Sequence, residues 1–240
     1  MKCLLLSILT MLASVNPINA QIQLQTYIDV GENSVSEGVS VKNILRGSYC
    51  FKKFSVETGT QFDYKSNNPN FLSGVDFIGS KGLEIKNFPF DVKGFFILNR
   101  FSDLMHETNW GFGIETRKFD HLTFEIGTNF KTYSVNSSAL EEYDIEDSDK
   151  KFRENFNMIY MATAYLKPHE NSWNVGLSCT NIDYFIINQS TNPVFNIQML
   201  YKPNSNLTIR LDTWYKQAGI LNINANHFAY FFRGGITWEI

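Results

Sequence analysis

The stretch from His227 to Ile240, HFAYFFRGGITWEI, limits what this chain can fold into more than any other. Read two residues at a time, it places Phe228, Tyr230, Phe232, Gly234, Ile236, Trp238 and Ile240 on one face, and Ala229, Phe231, Arg233, Gly235, Thr237 and Glu239 on the other. A period of two marks a strand. Aromatics toward both ends of so long a strand give it the reach and the interfacial anchors of one that crosses a bilayer. Such a strand cannot stand alone in lipid, where every backbone N–H and C=O needs a partner. The expectation is the closing strand of a transmembrane barrel, and the rest of the chain is read against it.

The same alternation recurs from the other end. IQLQTYIDV sets Ile22, Leu24, Thr26, Ile28 and Val30 against Gln23, Gln25, Tyr27 and Asp29. A second strand, from about Gly38 to Phe51, turns at Lys52-Lys53 into SVETGTQFDY. A fourth runs from about Ser73 to Asn87, with a kink or bulge expected at Gly79 to Gly82, where the apolar phase is lost, and Pro89 is expected to end it. DVKGFFILNR is the fifth, followed by an expected loop from Phe101 to Thr108; NWGFGIETRK and HLTFEIGTNFKTY are the sixth and seventh. Ser134 to Lys151, with its acidic run Glu141 to Asp149, reads as a solvated loop, because such a run is expelled from a core and from a bilayer. Later strands begin near Arg153, Ser172 (running to Phe185), Val194 and Leu207.

This pattern predicts an all-β fold: a closed antiparallel transmembrane β-barrel of about twelve strands, within a range of ten to fourteen. Connections after even-numbered strands are brief and those after odd-numbered ones longer and more polar. The polar face argues against a soluble sandwich, the other alternating architecture. A water-facing side would be dominated by Lys and Glu, whereas here Gly, Ser, Thr, Asn and Gln are interspersed with charges of both signs, as suits a crowded interior. The chain also carries 21 Phe, 11 Tyr and 4 Trp despite a mean hydropathy of only -0.20, a balance suited to interfacial aromatic girdles.

On these grounds the chain resembles the outer-membrane β-barrel proteins of Gram-negative bacteria. The resemblance implies a location in the outer membrane and the outer-membrane assembly machinery as a partner that reads the last strand. Such strands typically end in an aromatic residue; this one ends Trp238-Glu239-Ile240 and departs from the pattern.

The chain opens MKCLLLSILTMLASVNPINA, in which Lys2, an apolar run, Asn16-Pro17 and Ala20 have the layout of a cleavable signal peptide over residues 1–20, leaving 21–240 as the barrel. The run is too short for a spanning helix. A net charge of -3 with mixed signs gives no concentrated basic surface for nucleic acid. Beyond the signal only Cys50 and Cys179 remain, which is no disulfide scaffold.

No catalytic, cofactor or metal residue is expected. A barrel lipase or deacylase needs a His oriented beside a nucleophilic Ser. None of His106, His121, His169 and His227 sits in a His-x-Ser pattern; His121-Leu122-Thr123 comes nearest, and His106 is expected in a loop. The alternation instead turns nine charges inward as lumen lining: Glu115, Arg117, Glu125, Lys131, Arg210, Asp212, Lys216, Arg233 and Glu239. They read first as cross-strand ion pairs that hold the register, and second as a wall that selects a solute by charge. The expected function is a non-enzymatic narrow pore or small-solute transporter, with a membrane-embedded scaffold or surface-binding protein as the alternative. The solute, and any protein partner, is not legible.

Heat-modifiable gel migration checks the membrane reading: the folded protein should need detergent or lipid and migrate differently before and after boiling. A chain that folded and stayed soluble without either would overturn it.

Overall fold

The computed structural model describes residues 20–33, 39–65, 71–100, 105–142, 146, 150–168, 171–181, 193–217 and 228–240. The expected signal peptide, apart from Ala20, and the segments 182–192 and 218–227 lie outside them. Twelve strands follow one another: β1 (Ala20–Asn33), β2 (Val39–Phe51), β3 (Phe54–Lys65), β4 (Leu72–Ile85), β5 (Phe88–Arg100), β6 (Met105–Phe119), β7 (Leu122–Val135), β8 (Lys151–Tyr165), β9 (Trp173–Thr180), β10 (Val194–Asn204), β11 (Leu207–Gln217) and β12 (Phe228–Glu239). Each pairs antiparallel with its sequence neighbours, and β1 pairs with β12 from Gln23↔Glu239 to Asn33↔Ala229, so the sheet closes. Backbone bonds from Ile240 N to Ile22 O (2.8 Å) and from Ile22 N to Ile240 O (3.4 Å) complete the seam.

The two faces are inverted relative to a water-soluble protein. Among the described residues, 25 polar or charged side chains are buried against 11 hydrophobic ones, while Leu24, Trp110, Leu211, Phe232 and Trp238 are each more than half exposed. Burial on that scale belongs inside the barrel, and the exposed apolar surface matches a bilayer. Exposed aromatics run along the outer wall, with Phe77, Phe96 and Phe112 at mid-strand; toward one end lie Phe54, Phe88, Phe119, Trp173, Tyr201 and Trp238, and toward the other Tyr64, Phe71, Trp110, Phe156, Tyr230 and Phe232. The first end carries the short turns and is called here the turn rim; the second is the loop rim.

Several boundaries differ from the sequence reading. β4 and β5 pair without interruption from Gly74↔Asn99 to Ile85↔Phe88, so no kink occurs at Gly79 to Gly82. The irregularity lies at the other end of β4, where the pairing with β3 shifts between Gln61 and Phe62 and both Ser73 and Gly74 are buried. The turn after β4 is Lys86-Asn87, both at positive φ (49° and 61°), the paired left-handed geometry that matches the twist of a two-residue hairpin. Pro89 therefore does not end β4. It lies in β5 opposite Glu84, next to the rim, where the pairing of β5 with β6 stops at Phe90↔Thr116. There it removes no ladder bond to β6.

β6 starts at Met105, inside the stretch expected to be a loop, so His106 and Glu107 are strand residues. The stretch between β7 and β8 contains a short helix, α1 (Ser137–Glu142), with Ala139 and Leu140 buried and Glu141 and Glu142 exposed. β9 is described over Trp173–Thr180, and the expected continuation to Phe185 lies, beyond Asn181, outside the described residues. The Asn181 side chain then takes the place of backbone, accepting from Tyr160 N at 2.7 Å and donating to Met158 O at 2.8 Å. Cys50 and Cys179 are free.

Because β12 bonds to both β11 and β1, deleting residues 228–240 opens two ladders at once. The truncated chain should lose heat-modifiable migration and protease resistance in lipid vesicles. A truncation that still inserted and resisted protease would show that closure by β12 is dispensable.

Candidate functional site

Every second residue of each strand points into the barrel, so the cross-strand register decides which inward charges meet. In the seam, Asp29, Arg233 and Asp212 lie directly opposite one another across β1, β12 and β11. Arg233 grips Asp29 with both arms, Nε to Oδ1 at 2.6 Å and Nη2 to Oδ2 at 2.7 Å. Its guanidinium sits 5.5 Å from the ring of Trp214, and Asp212 is engaged by Arg210 at 2.7 Å. The fork geometry of a guanidinium on a carboxylate is the strongest arrangement such a pair can adopt.

A second cluster spans β2 to β4. Arg46, Gly59 and Asp76 are aligned in register on three successive strands. A Cβ on Gly59 would come within 2.4 Å of Asp76 Oδ2. With no side chain between them, Asp76 reaches over β3 to Arg46 Nη2 at 2.5 Å, and Arg46 Nη1 meets Glu57 at 3.4 Å.

A third centres on Lys93 of β5. Glu115 and Glu125 are direct cross-strand partners on β6 and β7, a like-charge pairing that is unfavourable alone. Lys93 Nζ bonds to both, at 2.5 and 2.8 Å. Gly113, opposite Lys93, leaves the room, since a Cβ there would lie 2.7 Å from Glu125 Oε1. Toward the loop rim, Lys131 is buried with Glu107 as the opposite charge acting on it, and Asn99 donates to Glu107 at 3.2 Å.

Of the nine charges expected in the lumen, Glu115, Glu125, Lys131, Asp212 and Arg233 are buried inside the barrel. Arg210 is half-buried beside Asp212, and Glu239 sits at the turn rim, accepting from Gln21 (2.6 Å) and Gln23 (3.1 Å). Arg117 falls where the β6–β7 register shifts and Lys216 faces Val194; only their backbones are described. Sequence reasoning named few of the counter-ions. Asp29, Arg46 and Glu57 lie on faces the alternation already turns inward, Asp76 and Lys93 lie on strands for which the sequence reading assigns no inward face, and Glu107 falls in the stretch it reads as a loop.

These clusters border a cavity of about 820 Å³ that opens at the turn rim past Lys52, Lys53 and Leu83. It extends inward to Tyr27, Ile78, Met161, Leu200 and Trp214. Ile78, Phe95, Ile97 and Ile159 pack together deeper in the barrel as an apolar bar on the wall of β4, β5 and β8. The described histidines stay out of the lumen chemistry: His121 Nδ1 donates to Tyr165 O at 3.0 Å at the turn rim, and His106 pairs with Asn136 at 2.6 Å at the loop rim. Among the described residues no group of three or more His, Cys, Asp or Glu could hold a metal ion.

No protein-family model and no curated protein sequence matches this chain. Solved structures do. The KdgM porin in complex with disordered oligogalacturonate superposes with a TM-score of 0.52 at 11% identity, over 89% of this chain and 98% of that one. The NanC porin gives 0.50 at 14% identity over 89% and 98%. The translocator domain of the autotransporter NalP from Neisseria meningitidis gives 0.50 at 12% over 99% and 94%. At such identities the likeness is one of fold: the chain has the fold of Gram-negative outer-membrane β-barrels.

Replacing Lys93 by Met should remove the ammonium that Glu115 and Glu125 share and destabilise the barrel by about 3 kcal/mol or more in urea unfolding from vesicles. Adding Glu115→Gln and Glu125→Gln to the same chain should recover most of the loss. A Lys93→Met barrel as stable as the parent would show that the triad carries no structural weight.

Proposed function

We propose that the protein is an outer-membrane β-barrel, delivered by a cleavable signal peptide and inserted by the outer-membrane assembly machinery, that acts as a narrow pore or small-solute transporter without enzymatic chemistry. The observation that carries this reading is the cavity of about 820 Å³ inside a lipid-facing barrel, walled by Arg46, Glu57, Lys93, Glu125, Arg210 and Arg233 and open to solvent at the turn rim. A barrel built only as an anchor has no need of an open, charge-lined interior of that size. Two of the superposing structures are porins, one in complex with disordered oligogalacturonate, which supports the same reading at the level of fold.

The lumen charges bear on what such a pore passes. Arg46, Lys93, Arg210 and Arg233 each hold a carboxylate. A paired cation attracts a passing anion less than a free one, so the wall acts mainly as a hydrated polar surface of fixed width. In this reading the constriction is the apolar bar of Ile78, Phe95, Ile97 and Ile159, whose Ile78 borders the cavity, rather than a ring of one sign.

One observation favours a second reading, a membrane-embedded scaffold. Ile44, Gln61, Asp76, Glu107, Thr180 and Asn196 are almost wholly sealed from solvent, so side chains fill much of the loop-rim half of the interior.

Planar-bilayer recording separates the two. The folded protein should give discrete single-channel steps, and Ile97→Ala with Ile159→Ala should raise their conductance roughly twofold or more by thinning the apolar bar. Well-folded protein that passed no current would sink the pore and leave the scaffold.

A further inference from the structure

The outer wall near the turn rim is not smooth. Across β5 to β8 it carries a concave groove of about 780 Å³ with almost wholly apolar walls, formed by Phe88, Ile114, Phe124, Ile126, Tyr160 and Ala162. All of these except Phe88 lie in two adjacent register rows, Phe90–Thr116–Phe124–Ala162 and Val92–Ile114–Ile126–Tyr160, and Phe88 pairs with Ile85 at the turn. The small Ala162, flanked by large side chains, leaves the hollow. In the barrel as read above, this surface faces the acyl chains of one leaflet.

Three exposed lysines lie on the turn-rim side of the groove, on its strands or the adjoining turn. Lys81 of β4 continues the second row, directly opposite Val92. Lys86 is in the β4–β5 turn, next to the groove residue Ile85 and two residues from Phe88. Lys118 holds its ammonium 4.9 Å from the centre of the Phe88 ring, a wall of the groove. All three are exposed, and among the described residues none forms an ion pair. The carboxylates of the same hairpin, Glu84 and Asp91, line the lumen cavity instead, and Glu84 is already held by Lys53 at 3.8 Å.

An acyl-sized apolar hollow topped by unpaired ammonium groups at the membrane surface is complementary to one kind of occupant. The geometry points to a binding site for a single anionic glycerophospholipid of the turn-rim leaflet. Its acyl chains fill the groove between Phe88 and Ala162, and its phosphodiester is held by Lys81, Lys86 and Lys118. Long lysine stems from lipid-facing strands extend to the headgroup level, where the ammonium meets phosphate rather than hydrocarbon. The aromatic floor under Lys118 keeps that ammonium at the mouth of the groove. The site is separate from the lumen, so it stands whether or not the barrel conducts.

Native mass spectrometry of the full chain in a neutral detergent tests it, with phosphatidylglycerol and phosphatidylcholine of identical acyl chains as probes. The barrel should retain one phosphatidylglycerol about tenfold more strongly than phosphatidylcholine, since each lysine near an anionic group contributes about a fivefold factor at most. Lys81→Gln, Lys86→Gln and Lys118→Gln together should erase that preference while leaving heat-modifiable migration intact. Lys118→Gln alone, which removes one exposed ammonium, should lower it severalfold and stands in if the triple variant does not fold. Ala162→Trp, which fills the hollow, should release both lipids. Equal retention of the two lipids by the parent barrel, a preference that survives loss of the lysines, or tight retention by Ala162→Trp would each overturn the site.

Discussion

Everything in this barrel depends on the pairing of its first and last strands. An open twelve-stranded sheet in hydrocarbon would leave two rows of backbone N–H and C=O groups without partners, each a penalty of several kcal/mol. The ladder between β1 and β12, from Gln23↔Glu239 to Asn33↔Ala229, removes both rows. Its register also aligns Asp29, Arg233 and Asp212, so the least local contact in the chain carries a bidentate ion pair of 2.6 and 2.7 Å. Slipping the seam by one residue would turn Arg233 into lipid and Phe232 into the lumen, a change that no local rearrangement can offset.

Closure creates the second problem, an interior that must hold polar side chains away from bulk water. The barrel answers with ion clusters rather than with isolated charges. Lys93 serves two glutamates, Arg46 serves Asp76 and Glu57, and Arg233 lies between two aspartates. Buried charge is tolerated on these terms because removing either partner strands the other. Glycine makes the reach possible: at Gly59 and Gly113 the missing side chain lets residues from strands that are not neighbours meet across the one between them. The same clusters that tie the strands together thus form the wall of the cavity at the turn rim.

The outer face is simpler because lipid makes fewer demands. It asks for apolar surface in the middle and aromatics at the ends, and the exposed side chains supply both. What departs from that uniformity, a hollow beside Ala162 with three exposed lysines on its turn-rim side, stands out for the same reason.

Much of this was legible in the sequence. Alternation places Asp212, Arg233, Glu115 and Glu125 inside, and the contrast of short turns with long loops sets the strand order, because a period of two is a local property that each strand carries by itself. What alternation cannot carry is which inward residues meet. Glu107 was hidden in a segment that reads as loop until its pairing with Tyr133 and Asn99 is seen, and Pro89 reads as a strand breaker until its place at the rim shows that it gives up no ladder bond. The residues alone determined a lipid-facing, closed, antiparallel barrel with a charged interior. Only the tertiary structure decided that Lys93 holds Glu115 and Glu125, that Asp76 crosses Gly59 to Arg46, and that an apolar bar borders the cavity. These contacts depend on the stagger between strands, which is settled by the whole ring of twelve closing at once.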